Sequence, residues 1–273
     1  HDPVVIAPEH RPARSALQPL DIGRWHALDQ VDIAAQQRGE ARGIVADDAN
    51  LDARIGRCLA PVGGVAGDGH PFLAAHLLDA VLVEWPTDVL ALMIGHQLDF
   101  FLGDARNLRD RVGRSIAAFD PQHPHHWFVR GMQAFGLEES GHYAAAEQAA
   151  LEALERNPDD VWAVHAAAHV DEMQGRVDDG IDLMTGRVDD WGSGNLFTVH
   201  NWWHLALFQL EKGRYDQVFE IYYREIHHPA SDGVPIELLD ATAMLWRLHL
   251  EGVAVADRFD VIADTWAGAI DRS

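Results

Sequence analysis

Two pairs of histidines in this 273-residue chain have a spacing that chemistry can use: His165 and His169 in WAVHAAAHVDEMQG, and His200 and His204 in VHNWWHLALFQLEKG. On an α-helix a four-residue step puts two imidazoles on one face, one turn apart, which suits two ligands of one metal ion. Glu172, three residues after His169, extends the first row. The same groups could instead serve as acid and base or hold an organic ligand. The alternative is packing: a histidine on an apolar helix face is often a hydrogen-bonded core residue, and among 17 histidines some four-residue steps are accidental. The metal candidates are therefore His165, His169, His200 and His204, and the cofactor they imply is a divalent metal.

These residues must be positioned by helices, and the helices show a register. Gly141 and Gly175 stand 34 residues apart, as do Ala134 and Ala168, and each glycine follows its alanine by seven. Ala206 and Gly213 repeat that step at a spacing of 38, Leu245 and Gly252 follow it more loosely, and Gly103 precedes Gly141 by 38. A 34-residue period is that of tetratricopeptide repeats. In such a unit the small residue lets two antiparallel helices approach. The glycine caps the first helix in a left-handed conformation, and Tyr143, Val177 or Tyr215 packs the second. Helix pairs are expected over 127–157, 160–189 and 197–226, with no convincing strand alternation anywhere. The fold class is all-α, built of degenerate tetratricopeptide-like helical hairpins. Residues 1–20, rich in proline, read as an extended arm, and 21–273 as one α-helical repeat domain, clearest over 127–252. Within it, two helical stretches before Cys58 break near Gly39 and Gly43, and PVGGVAGDGHP forms a glycine-rich loop.

The first helix of a tetratricopeptide hairpin lines the concave surface through its second, fifth, ninth, twelfth and thirteenth places. His165, His169 and Glu172 fall on the fifth, ninth and twelfth. The preceding repeat contributes Phe128, Gly131, Phe135, Glu138 and Glu139, and the following one His200, Trp203 and Glu211. His200 and His204 occupy the second and sixth places. Neighbouring first helices run about 10 Å apart, so all four histidines are expected in one shared cavity with Glu172 beside them. Bland readings stand next to these: Glu138-Glu139 and Asp178-Asp179 as solvated turns or helix ends, and Trp202, Trp203, Trp246 and Phe208 as core. His123, His125 and His126 read as exposed, and Cys58 as buried and inert.

Composition narrows the function classes. Lys plus Arg number 21 against 43 Asp plus Glu, a net charge of −22 that repels nucleic-acid phosphates and anionic membrane surfaces. The single cysteine, Cys58, forms no intrachain disulfide and no thiolate cluster. No apolar run approaches a membrane span, and HDPVVIAPEHRPARS lacks a basic start followed by an apolar stretch, so a cytoplasmic location is expected. There is no phosphate-binding glycine loop, serine elbow or adjacent histidine-glutamate zinc-protease motif.

The blocks FVRGMQAFGLEESGHYAAAEQAALEAL, DVWAVHAAAHVDEMQGR, HNWWHLALFQLEKGRY and ELLDATAMLWRLHLEG, in this order over roughly 90–252, resemble the tetratricopeptide repeat protein 38 family. The resemblance implies a right-handed superhelix and brings no settled reaction. Family members are longer at the C-terminal end, which would make this chain a short member or an incomplete one. The resemblance also implies that Asp240 and Arg247, seven residues apart on one helix face, belong with the histidines; a structural ion pair or caps is the alternative.

Two functional readings follow. In the first, the concave groove binds a peptide, a partner protein or a small ligand. In the second, the chain is an enzyme or a metal- or small-ligand-binding protein with a pocket lined by His165, His169, Glu172, His200, His204, Glu138, Trp203, Asp240 and Arg247.

Overall fold

The computed structural model describes residues 70–192, 197–228 and 234–272, which are helical with no strand among them. The arm read over 1–20, the stretch around Gly39, Gly43 and Cys58, and most of the glycine-rich loop lie outside the described residues. The helices are α1 (Pro71–Glu84), α2 (Val89–Phe101), α3 (Ala105–Ser115), α4 (His126–Glu138), α5 (Tyr143–Arg156), α6 (Val161–Met173) and α7 (Val177–Thr185). After them come the short α8 (Val188–Trp191), α9 (Phe197–Glu211), α10 (Tyr215–Ile221), α11 (Pro235–Leu250) and α12 (Ala256–Arg272). A single 3₁₀ turn follows α3, and α10 runs on as a π-helical turn over Tyr222–Ile226. No described helix is long and apolar enough to cross a membrane.

The expected hairpins are present: α4 with α5, α6 with α7, and α9 with α10, preceded by α2 with α3 and followed by α11 with α12. Each turns at its register glycine. Gly103, Gly141, Gly175, Gly213 and Gly252 have φ between 65° and 78°, which a side chain disfavours, and among the described residues no non-glycine does so. Just past each glycine an N–H returns to a carbonyl five residues back, as in Arg176 to Asp171 at 2.8 Å and Arg214 to Gln209 at 2.9 Å. That bond satisfies carbonyls the helix end would leave orphaned.

The first helices α2, α4, α6, α9 and α11 touch in succession and form one continuous layer, with α3, α5, α7, α10 and α12 behind it. Ala134, Ala168 and Ala206, each seven residues before its glycine, are fully buried in the cores between the helices. Where α7 crosses α9, a side chain on Gly180 would run into the Phe208 ring. The core behind the site contains Leu154, Met184, Trp191 and Phe208, each essentially inaccessible and each worth about 1.5–3 kcal/mol of burial. At the other end Arg111 on α3 is fully buried. It joins three helices by a two-pronged pair with Asp99 (2.7 and 2.9 Å) and a bond to Asp79 (2.8 Å).

Candidate metal centre

α6 and α9 are neighbours in the first-helix layer, and they deliver the two histidine pairs to one place. Counted back from the cap glycines, His169 and His165 stand six and ten residues before Gly175, and His204 and His200 stand nine and thirteen before Gly213. The rows are staggered by three residues, about 4.5 Å of helix rise. They therefore interleave. His204 lies between His169 and His200, with Nε2 to Nε2 distances of 3.1 Å and 3.2 Å. One ligand nitrogen from each of the four histidines falls within 4.8 Å of the others.

The outer nitrogen of three of these rings meets a carboxylate. His169 Nδ1 is 3.2 Å from Glu138 Oε2 at the end of α4, and His204 Nδ1 is 3.1 Å from Glu172 Oε2 on α6. His200 Nδ1 is 2.9 Å from Asp240 Oδ2 on α11. The centre thus draws on four successive first helices. Because an ionised carboxylate only accepts, Nδ1 must carry the hydrogen in each ring, and in the neutral form Nε2 is then a bare lone pair. The His204 lone pair faces those of His169 and His200 at 3.1 and 3.2 Å, and such pairs repel unless a metal ion or a shared proton lies between them. Nitrogens held at 2.0–2.1 Å around a tetrahedral ion are roughly 3.3–3.4 Å apart, close to the spacing seen.

His165 differs. It is 3% exposed, neither ring nitrogen has a hydrogen-bond partner, and its ring lies against His169, His204 and His200 at centroid distances of 4.1, 4.9 and 5.0 Å. Phe197, itself stacked on Trp162, meets it edge-on at 4.7 Å, and Phe135 closes another side at 5.2 Å. Burial first, and then the adjacent imidazoles, hold the pKa values of His165 and His204 well below the ordinary histidine range, which keeps both neutral and able to bind a metal. Burial raises the Glu172 carboxyl, opposed by His169 and Arg247. It also raises Glu139, which lies 3.9 Å from His169 Nδ1 beside the charge of Glu138.

The structure revises several sequence expectations. Glu138 is not a solvated helix end: it is 5% exposed and turned onto His169, and Glu139 is half-buried, whereas Asp178 and Asp179 are exposed as expected. Glu172, read as an extension of the His165–His169 row, meets His204 on the next helix at 3.1 Å. Asp240 and Arg247 form no ion pair with each other. Asp240 holds His200, and Arg247 is exposed with its guanidinium 5.5 Å from the Trp203 ring, which in turn stacks on His200. Phe208 is core and Trp202 and Trp203 are partly buried, but Trp246 on α11 is 54% exposed. His123, His125 and His126 are half-buried rather than exposed, with His126 Nδ1 3.0 Å from the Phe119 carbonyl. Glu211 is exposed at the end of α9. Sequence reasoning missed Phe197 and Trp162 as walls of the cluster; their aromatic character was the available signal.

No family model matches the chain. A solved structure titled "MamA RS-1 ArsTM double mutant" is similar over 68% of this chain and 92% of that one, at 14% identity and a TM-score of 0.45.

Proposed function

We propose that this chain is a tetratricopeptide-like protein that binds one divalent transition-metal ion among the histidines of its first-helix layer. The observation that carries the reading is the pairing of convergence with orientation: His204 Nε2 stands 3.1 and 3.2 Å from the Nε2 atoms of His169 and His200, all four histidines offer a nitrogen within 4.8 Å of the others, and each of these three Nδ1 atoms is turned outward onto a carboxylate. Carboxylate–histidine–metal relays have this form, since the carboxylate fixes the tautomer and makes the ligand nitrogen more basic. An imidazole-only ligand set suits zinc, copper, nickel or iron. The blocks that resemble the tetratricopeptide repeat protein 38 family supply all four histidines, and we assign the chain to that family on this resemblance; a cytoplasmic location is our reading of its single cysteine and lack of a membrane-spanning run. The layer carrying Glu139, Trp203 and Arg247 is where a peptide or small ligand would meet the ion.

The test is metal analysis. Protein stripped with a chelator, reloaded with zinc and dialysed is expected to retain one zinc per chain. His204→Gln is expected to lose it, and a change at a buried histidine outside the cluster, His96→Gln, to keep it. Wild-type protein that retains no zinc, or that loses as much through His96 as through His204, contradicts the reading.

A further inference from the structure

The four histidines are not equivalent, and the difference bears on what the ion could do. His169, His200 and His204 each have an orienting carboxylate and touch through Nε2, whereas His165 has no hydrogen-bond partner at either nitrogen and points into the cluster from a 3% exposed position. We propose that the ion is held by the three carboxylate-oriented histidines alone. Its remaining position holds an exchangeable water facing His165, which makes the site a hydrolytic centre for uncharged esters or amides. This rests on the metal reading above.

Three observations support it. First, structural zinc sites are typically closed by thiolates, whereas three neutral imidazoles plus water is a catalytic ligand set. Cys58 is the chain's single cysteine, so no thiolate set can form. Neutral ligands leave the full double charge on the ion, where it most strongly acidifies bound water. Second, a water at the fourth position would hydrogen-bond the unpartnered His165, which otherwise carries two buried nitrogens without partners. Third, the cluster is accessible on one side, with His169 and His200 side chains 22% and 24% exposed against 3% for His204.

The substrate class follows from the walls. Phe197 and Trp203 present aromatic surface beside the histidines, while Glu138, Glu139, Glu172 and Asp240 surround them with negative charge. That favours an uncharged, partly apolar acyl compound over an anion such as a phosphate diester. In the reaction the bound water gives one proton to solvent and its oxygen bonds to the carbonyl carbon. The carbon–oxygen or carbon–nitrogen bond to the leaving group breaks, and the leaving group takes its proton from solvent.

The experiment uses the full chain loaded with Co²⁺ and, separately, with Zn²⁺. Imidazole, an uncharged ligand, is expected to change the visible cobalt spectrum of the wild type in a saturable way, because it enters an open position. His165→Gln and His165→Phe are expected to keep the wild-type metal stoichiometry. Zinc-loaded wild type should hydrolyse p-nitrophenyl acetate above the metal-free protein and leave bis(p-nitrophenyl) phosphate untouched, with the ester rate falling roughly tenfold to a hundredfold in His165→Phe as the water loses its position. A cobalt spectrum indifferent to imidazole overturns the proposal, even if both His165 variants fail to fold. So does metal loss in His165→Gln equal to that in His204→Gln, ester hydrolysis equal with and without zinc, or preferential hydrolysis of the diester. Wild type that binds no cobalt or zinc instead sinks the metal reading itself.

Discussion

Replacing the three carboxylates one at a time, as Glu138→Gln, Asp240→Asn and Glu172→Gln, isolates the electrostatic part of the proposed relay. Each substitution preserves shape, and the amide oxygen can still accept the Nδ1 hydrogen, so what is lost is the negative charge that makes the ligand imidazole more basic. Removal of such a partner typically lowers metal affinity about 10–100-fold, or roughly 1.4–2.7 kcal/mol. The structure orders the three within that range. Glu138 is 5% exposed, the Asp240 side chain 11% and the Glu172 side chain 36%. Water and salt screen the last most, so Glu138→Gln and Asp240→Asn should fall near the upper end and Glu172→Gln near the lower. Glu138 and Asp240 act on different histidines, from α4 and α11, but on one ion, so the double variant should lose more affinity than either single one without the factors having to multiply. A zinc competition titration against a chromophoric chelator, at fixed pH and ionic strength, measures all four. If every single variant stayed within about twofold of wild type, or if Glu172→Gln had the largest effect, the carboxylates would not be tuning a metal through the histidines.

Ala168→Leu and Ala206→Leu, which insert methylenes at fully buried helix contacts, should each cost about 1–3 kcal/mol and lower the melting temperature by about 2–4 °C per kcal/mol, more than His165→Gln does in metal-free protein. Unchanged melts would remove the close-approach argument. Burial pushes the Asp160 carboxyl at the N-cap of α6 up to about 7, so between pH 3.8 and that value the folded chain binds the proton the unfolded chain has released. Asp160 therefore makes stability fall as pH rises through that window. Asp160→Asn, which can still cap α6, should flatten that part of a denaturation-versus-pH curve, and an unaltered slope would refute the assignment. Arg111→Met strands Asp99, 1% exposed, without its pair and should cost about 3–5 kcal/mol in urea unfolding; a loss under about 1 kcal/mol would mean water enters and solvates the carboxylate. Zinc at about 100 times its dissociation constant should stabilise wild type by about 2.7 kcal/mol and His204→Gln by far less, as read by thermal melts.

What the sequence determined by itself is what depends on neighbours along the chain. The left-handed turn at Gly141 or Gly175 needs a residue without a Cβ, the hairpin needs alanine where Ala134 and Ala168 bring helices together, and a four-residue step puts His165 over His169 whatever surrounds them. The helix pairs and the histidine rows were legible for that reason. Only the tertiary structure decided how the rows meet, because that depends on one helix sliding past another. The connection between Gly175 and Gly213 is four residues longer than a regular repeat and contains α8, whose Trp191 is fully buried. In the resulting register α9 sets His204 between His169 and His200. Glu138, Glu172 and Asp240 stood among the sequence candidates, but which histidine each meets was beyond the sequence for the same reason: they reach them across 31, 32 and 40 residues. At such separations no local periodicity distinguishes a carboxylate turned onto an imidazole from one turned to water, and the difference lies entirely in the packing of α4, α6, α9 and α11.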